Sequence, residues 1–225
     1  MKRPGHVFHR KLSGELPQAV SGKGCYVHAD DNRRWLDASG GAVVVNLGHA
    51  RSEIADAVSF QLREGSYFHP TMFTHPAVES LAERLAGHAP EHISRFYFMS
   101  SGSEAVETAL KLARQIHVSR KSNLRYKAIS RWKSYHGLSL GALAATGRTA
   151  FRTPFAPMLP YSVHIPPPYC LRCPWRRDRS SCRLDCAEAL QEMILLEGPE
   201  TVSCFLAETV SGATLAVYPP PPGYW

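Results

Sequence analysis

From about residue 95 onward, short β-prone runs alternate with longer amphipathic runs, and this alternation is the strongest constraint on the fold. The most regular amphipathic run, Glu104 to His117, keeps its apolar residues on one face and contains no Gly or Pro. β-Prone runs at 95–99 and 126–130 lie on either side of it. Strands that alternate with helices predict βαβ units and a mostly parallel sheet flanked by helices. The pattern continues with the predicted helices 138–146 and 185–197 and the predicted strands 161–165 and 201–207.

The first part of the chain has a different pattern. Residues 1–22 carry little periodicity and predict an irregular arm. The run 25–41 predicts strand, turn and strand, with Asp30-Asp31-Asn32 in the turn. Helical periodicity follows, with Ser52 as the expected N-cap of the first helix and Pro76 in the first turn of the second. We therefore expect helices at 52–64 and 75–87, a small α+β segment with its arm at 1–70, and a larger domain at 71–225.

Composition limits the class of partner. A net charge of +7 and a pI near 9.2 suit a nucleic-acid binder. The basic residues are scattered, however, and the densest run, 176–179, is short and contains an acid, which favours a solvated loop. No run approaches the ~20 apolar residues of a membrane span, and residues 1–18 lack a signal-peptide core. We therefore expect a cytoplasmic protein that binds neither nucleic acid nor membrane.

The stretch Ser100-Ser101-Gly102-Ser103 stands between a predicted strand and the long helix. The first amides of a helix have no intrahelical acceptor, a glycine admits a ligand close to the backbone, and a hydroxyl adds a donor. Such a turn can hold a phosphate. It can equally be an ordinary N-cap in which Ser101 and Glu104 form a capping box.

Four separated motifs in register resolve this choice in favour of the phosphate. WLDASGGAVVVNLGHA, SGSEAVETALKLAR, SYHGLSLGALAATG and FLAETVSGA together resemble the class III pyridoxal-phosphate-dependent aminotransferases of fold type I. The resemblance runs from about residue 24 to the last residue. It implies an N-terminal part of the large domain of that fold, amino-group transfer from an amine or ω-amino acid to a 2-oxo acid, and a homodimer.

The resemblance also implies which residues bind pyridoxal 5'-phosphate. Gly102 and Ser103 would hold its phosphate, and Tyr135 would stack on its pyridine ring. His136 and Gly137 would complete that loop. Glu208, at the end of a predicted strand, would lie near the cofactor and help to position the substrate. The family usually has proline after this glutamate, whereas this chain has threonine. The resemblance therefore does not predict the backbone conformation after Glu208.

The resemblance further calls for a Schiff-base lysine and for an acid against the pyridine nitrogen. This chain has no lysine after Lys133 and no aspartate after Asp185. We therefore assign no catalytic residue within it, expect both groups beyond residue 225, and expect the chain alone to be an inactive fragment. Two alternatives stay open: another class III activity (racemase, mutase or phospho-lyase), and a non-catalytic metal-binding fragment.

Four of the six cysteines lie close together in CLRCPWRRDRSSCRLDC, and their spacing permits a zinc site. The second pair carries one extra residue and the intervening loop is short, so we favour reduced thiols in a surface loop and assign no metal ligand. The remaining two, Cys25 and Cys204, lie in strand-like runs and are expected to be buried. The four clustered cysteines are Cys170, Cys173, Cys182 and Cys186.

Overall fold

The computed structural model describes residues 6–10, 13–178 and 180–225. The chain forms two compact units, Met1–Arg95 and Phe96–Trp225. The domain boundary expected at residue 70 stays a prediction. The parts of the expected arm at 1–5 and 11–12, and Arg179 of the basic run, lie outside the described residues.

The first unit is a small α+β structure. Its three strands form an antiparallel sheet in the order β1-β2-β3. A short turn with left-handed backbone at Gly41 and Ala42 follows, and then two amphipathic helices. The elements are β1 (Ala19–Lys23), β2 (Tyr26–Ala29), β3 (Arg34–Leu36), α1 (Gly40–Val43), α2 (Ser52–Glu64) and α3 (Pro76–Ala86).

Three expectations for this unit are corrected. The end of the expected arm is strand β1. It was missed because AVSGK has only one β-branched residue, so its strand conformation depends on pairing with β2 rather than on its own propensity. Cys25 is exposed, because it lies in the turn between β1 and β2 rather than in a strand. The N-cap of α2 is Arg51, and Ser52 is its first helical residue. Pro76 occupies the first turn of α3, as predicted.

The second unit is an α/β structure with a parallel three-stranded sheet in the order β5-β4-β6. In the central strand, Ile129 is paired with Val163 on one side and Phe205 on the other. Two 3-10 turns, Thr153–Met158 and Cys170–Arg172, interrupt the connections. The elements are α4 (Gly102–Ser119), β4 (Lys127–Arg131), α5 (Leu140–Ala145), α6 (Thr149–Arg152), β5 (Ser162–Ile165), α7 (Asp185–Glu197) and β6 (Val202–Phe205).

Helices cover both faces of this sheet. On one face, Ile129 lies in a buried apolar cluster against which Leu190, Met193 and Ile194 of α7 pack. The next residue of β4, Ser130, points to the opposite face, where its hydroxyl donates a 2.7 Å hydrogen bond to the Ala145 carbonyl at the end of α5. Alternation along one strand therefore places α7 and α5 on opposite sides, as the predicted α/β fold requires.

The β-prone run at 95–99 is not a strand, and that prediction was wrong. Two of its aromatic residues are exposed, Tyr97 to 80% and Phe98 to 42%. Within the described residues no strand pairs with it. Because a strand exists only with a hydrogen-bonded neighbour, β propensity alone does not create one. None of the helices in the described ranges combines the length and the apolar character that a bilayer crossing demands.

Candidate active site

The bend before α4 is an N-cap with a back-bonding glutamate. The Ser101 hydroxyl accepts a 3.2 Å hydrogen bond from the Glu104 amide, and the Glu104 carboxylate accepts a 3.0 Å bond from the Ser100 amide. The expected capping interaction is therefore present. It leaves the amides of Gly102 and Ser103 at the helix N-terminus, ahead of the first intrahelical hydrogen bond.

The loop after β4 lies against this bend. The Ser103 hydroxyl accepts a 3.1 Å hydrogen bond from the Leu138 amide. Gly137 is the point of closest approach: its φ is +130°, and a Cβ built on it would lie 2.6 Å from the Ser103 Oγ. A glycine is required at this position both for its backbone conformation and for the contact. The motifs SGSEA and YHG, separated in sequence, thus meet in the structure.

A fully buried threonine holds the loop in shape. The Thr146 hydroxyl accepts a 2.9 Å hydrogen bond from the His136 amide and donates toward the carbonyls of Gly137 and Ala142, 3.1 and 3.0 Å away. The His136 imidazole is buried beneath the loop. Burial lowers the pKa of His136 to about 4, with a smaller contribution from the charge of Arg131, so the ring is neutral near pH 7.

Glu208 lies past the end of β6, at the carboxyl edge of the parallel sheet. One carboxylate oxygen accepts a 3.3 Å hydrogen bond from the Tyr135 amide and a 3.5 Å bond from the Gly212 amide. The other oxygen, Oε2, is buried and has no partner among the described residues. Burial raises the pKa of Glu208 above its ordinary value. Oε2 of Glu208 therefore remains available as a hydrogen-bond acceptor, next to the half-exposed Tyr135.

Arg131, the last residue of β4, adds a buried positive charge next to this glutamate. One of its guanidinium nitrogens donates to the Glu208 main-chain carbonyl. Arg131 is only 1% exposed, and its Nε and Nη1 have no hydrogen-bond partner among the described residues. The same guanidinium lies over the rings of Tyr224 and Trp225, 5.8 and 5.6 Å from their centroids, and these contacts offset part of the cost of its unpaired atoms.

Sequence reasoning missed two residues that shape the site. Glu107 accepts hydrogen bonds from the first amides of α5, 2.7 Å from Gly141 and 3.2 Å from Ala142. Its signal was its position four residues after Ser103, which places both side chains on one face of α4. Thr146 is the second-to-last residue of the SYHGLSLGALAATG motif, but a sequence cannot show that its hydroxyl is buried.

The residues at this edge fit a ligand that combines a phosphate with an aromatic ring. A Cβ built on Gly102 would meet no atom within 4 Å, so there is open space next to the first residue of α4. Helix N-termini and free amides favour phosphate. The Tyr135 ring is 42% exposed, so a flat face remains available for stacking.

Comparison with known proteins assigns the family. The family model for aminotransferase class-III matches residues 13–225 of the chain. The chain belongs to the class-III aminotransferase family. A probable aminotransferase, Rv3329, of Mycobacterium tuberculosis is 38% identical over 97% of this chain and 47% of its own length. The putrescine–pyruvate aminotransferase of Pseudomonas aeruginosa is 32% identical over 99% of this chain and 49% of its own.

Solved structures agree with this assignment. An amine transaminase from an uncultivated Pseudomonas species, in its PLP-bound form, superposes with a TM-score of 0.89 at 33% identity. That match covers 98% of this chain and 52% of the other. The partial fold type I architecture predicted from the sequence is thereby confirmed. The class-III chain described here spans about half the length of the relatives it matches.

Proposed function

We propose that the protein carrying this chain is a transaminase that uses pyridoxal 5'-phosphate to move an amino group from a primary amine or ω-amino acid to a 2-oxo acid. The observation that carries the proposal is the meeting of three class-III motifs at one edge of the sheet. Two hydrogen bonds join them, from the Leu138 amide to Ser103 and from the Tyr135 amide to Glu208. Pyridoxal phosphate, when bound, supplies the electron sink for amino-group transfer.

Gly102 and Ser103 would hold the phosphate. Their amides lie at the positive end of α4, which favours an anion. The Ser103 Oγ already accepts a hydrogen bond from Leu138, so its own proton is free to donate to a phosphate oxygen. Amides and hydroxyl would together fix one end of the ligand.

Tyr135, His136 and Glu208 would orient the ring and the substrate. Tyr135 would stack on the pyridine ring. The hydrogen bond from the Tyr135 amide to Glu208 would fix the position of the Tyr135 backbone, and with it the position of the stacking side chain. His136 would support the loop as a buried neutral group. Glu208 would offer its unpaired Oε2 to the incoming amine or to a cationic side chain that accompanies the substrate.

The Schiff-base amine and the acid at the pyridine nitrogen are not assigned to any residue of this chain. Lys127 is paired with Glu197 at 2.8 Å, and Lys133 lies over the Tyr169 ring, 5.4 Å from its centroid. We propose that both groups come from outside residues 1–225, and that the chain alone does not transaminate. We also keep the homodimer and the cytoplasmic location as predictions.

The deciding experiment uses the complete product of the gene, with whatever flanks residues 1–225. Purified protein loaded with pyridoxal phosphate is incubated with pyruvate and a panel of amines that includes putrescine, and alanine is measured by mass spectrometry. We expect alanine with at least one terminal amine. Retained coenzyme with racemisation or phosphate elimination, and no alanine, would replace the proposal with another class-III activity.

A further inference from the structure

A cavity of about 600 Å³ lies outside the candidate active site, and all four clustered cysteines line it. Cys170 begins the 3-10 turn, Cys173 follows that turn, and Cys186 is the second residue of α7. The exposure is graded: Cys186 is buried, Cys173 is half-buried, and Cys170 and Cys182 are exposed. The two pairs, separate in sequence, therefore converge on one space. We propose that Cys170, Cys173, Cys182 and Cys186 form a structural Zn²⁺ site with four thiolate ligands.

The second pair has three residues between its cysteines instead of two, and a left-handed turn accommodates the extra one. Leu184, between Cys182 and Cys186, adopts a left-handed conformation with φ of 61°. Its amide donates a 3.4 Å hydrogen bond to the Cys182 Sγ. Such an amide-to-sulfur bond stabilises a thiolate and orients it as a ligand. The turn also places Cys186 in the first turn of α7.

The short segment between the pairs is held compact by polar contacts. The Asp178 carboxylate accepts hydrogen bonds of 2.8 Å from the Ser181 amide and from the hydroxyls of Ser180 and Ser181. Arg177, which follows the first pair, is 3.2 Å from Asp185, the first residue of α7, which lies between the two cysteines of the second pair. These contacts remove the objection that the loop is too short to bring the two pairs together.

The chemistry of the donors selects the ion. Four thiols suit a tetrahedral, closed zinc site of the structural type. The carboxylates of Asp178 and Asp185 also line the cavity, but both are already engaged in the loop contacts described above. Binding releases one proton from each thiol and leaves the Zn²⁺ tetrathiolate with a net charge of about −2. Four arginines among the described residues of the segment 170–186 can offset that charge: Arg172, Arg176, Arg177 and Arg183.

The four thiols line one cavity but are not arranged as a metal site. Within the described ranges, no group of three or more His, Cys, Asp or Glu side chains is already arranged to hold a metal ion. All six cysteines are free. The two exposed thiols belong to loop residues, so the movement required falls on Cys170 and Cys182 rather than on the buried Cys186. The site is independent of pyridoxal phosphate, and it would tie the loop to the first turn of α7.

The test measures metal in the full chain, purified under reducing conditions without a chelator. We expect about one zinc per chain by elemental analysis, released in proportion as an organomercurial titrates the thiols. Cobalt substitution should give intense thiolate-to-metal charge-transfer absorption together with visible bands of tetrahedral Co²⁺. Cys173→Ser and Cys182→Ser should each lose the zinc and the cobalt spectrum, whereas the matched control Cys25→Ser should keep both.

Other results overturn the proposal. Six titratable thiols with no zinc would identify a free-thiol loop. Mass spectra of non-reduced peptides that link these cysteines would identify disulfides. Zinc that persists in the variant lacking all four clustered cysteines would mean adventitious binding elsewhere. Should the single variants misfold, the mercurial titration of the unmodified chain still decides between these results.

Discussion

The Ser103 hydroxyl accepts a 3.1 Å hydrogen bond from the Leu138 amide, and this one contact joins the first turn of α4 to the loop after β4. Under the proposed function, the same hydroxyl donates its proton to the cofactor phosphate. The contact thus couples the position of the loop that carries Tyr135 to the phosphate site.

Ser103→Ala should weaken binding of the phosphorylated cofactor about tenfold, because a hydrogen bond to a charged group is lost and the Leu138 amide loses its acceptor. Pyridoxamine phosphate is a better probe than pyridoxal phosphate, because it cannot form Schiff bases with surface lysines. Quenching of the protein's tryptophan fluorescence measures its affinity. Ser103→Thr should retain most of the affinity. Ser119→Ala, at the other end of α4, is the control, and equal weakening in both alanine variants would contradict the assignment.

Gly137→Ala should destabilise the protein by about 2 kcal/mol or more, since an alanine is strained at φ +130° and its Cβ would approach the Ser103 Oγ and the Ala142 Cβ. Gly102→Ala is the matched control: a Cβ there meets no atom within 4 Å and should leave the free energy of unfolding nearly unchanged. Urea unfolding followed by circular dichroism compares the two. Similar costs at both glycines would argue against the close approach of the two motifs.

Thr146→Val should cost about 2 to 3 kcal/mol of unfolding free energy, because the His136 amide and two carbonyls lose their buried partner. Thr146→Ser retains the hydroxyl and should cost about 1 kcal/mol, the expected effect of a missing methyl group. Denaturant unfolding of the three proteins gives the comparison. If valine were tolerated as well as serine, the hydroxyl would not be what holds the loop.

The sequence predicted the fold where local signals were strong, whereas only the resemblance to a family indicated that the separated motifs share one site. The predicted ranges 52–64 and 185–197 agree with α2 and α7, and the glycine after each helix marks its C-terminal end, but the N-cap of α2 is one residue earlier than expected. The run at 95–99 was misassigned because strand formation depends on a partner that the local sequence does not name. Resemblance indicated Gly102, Ser103 and Tyr135, whereas burial of Thr146 and the unpaired Oε2 of Glu208 arise only from tertiary packing.

Two buried histidines should make the protein less stable in acid. Burial lowers the pKa of both His136 and His164 to about 4, from an ordinary value of 6.5. Between these two values the unfolded chain binds protons that the folded protein does not, so stability contributed by the neutral rings is fully present above about pH 6.5 and is lost as pH falls toward 4. The unfolding free energy should therefore decline over this range.

Histidine side-chain NMR can isolate this effect from carboxylate titration. We expect the imidazoles of His136 and His164 to remain neutral at pH 5.5. Their signals should disappear from the spectra of His136→Gln and His164→Gln, respectively, and each variant should show a shallower loss of stability between pH 6.5 and 4 than the unmodified protein. A His136 signal that titrates near pH 6.5 would mean that water reaches the imidazole. The proposal that a buried, neutral His136 supports the loop carrying Tyr135 would then be wrong.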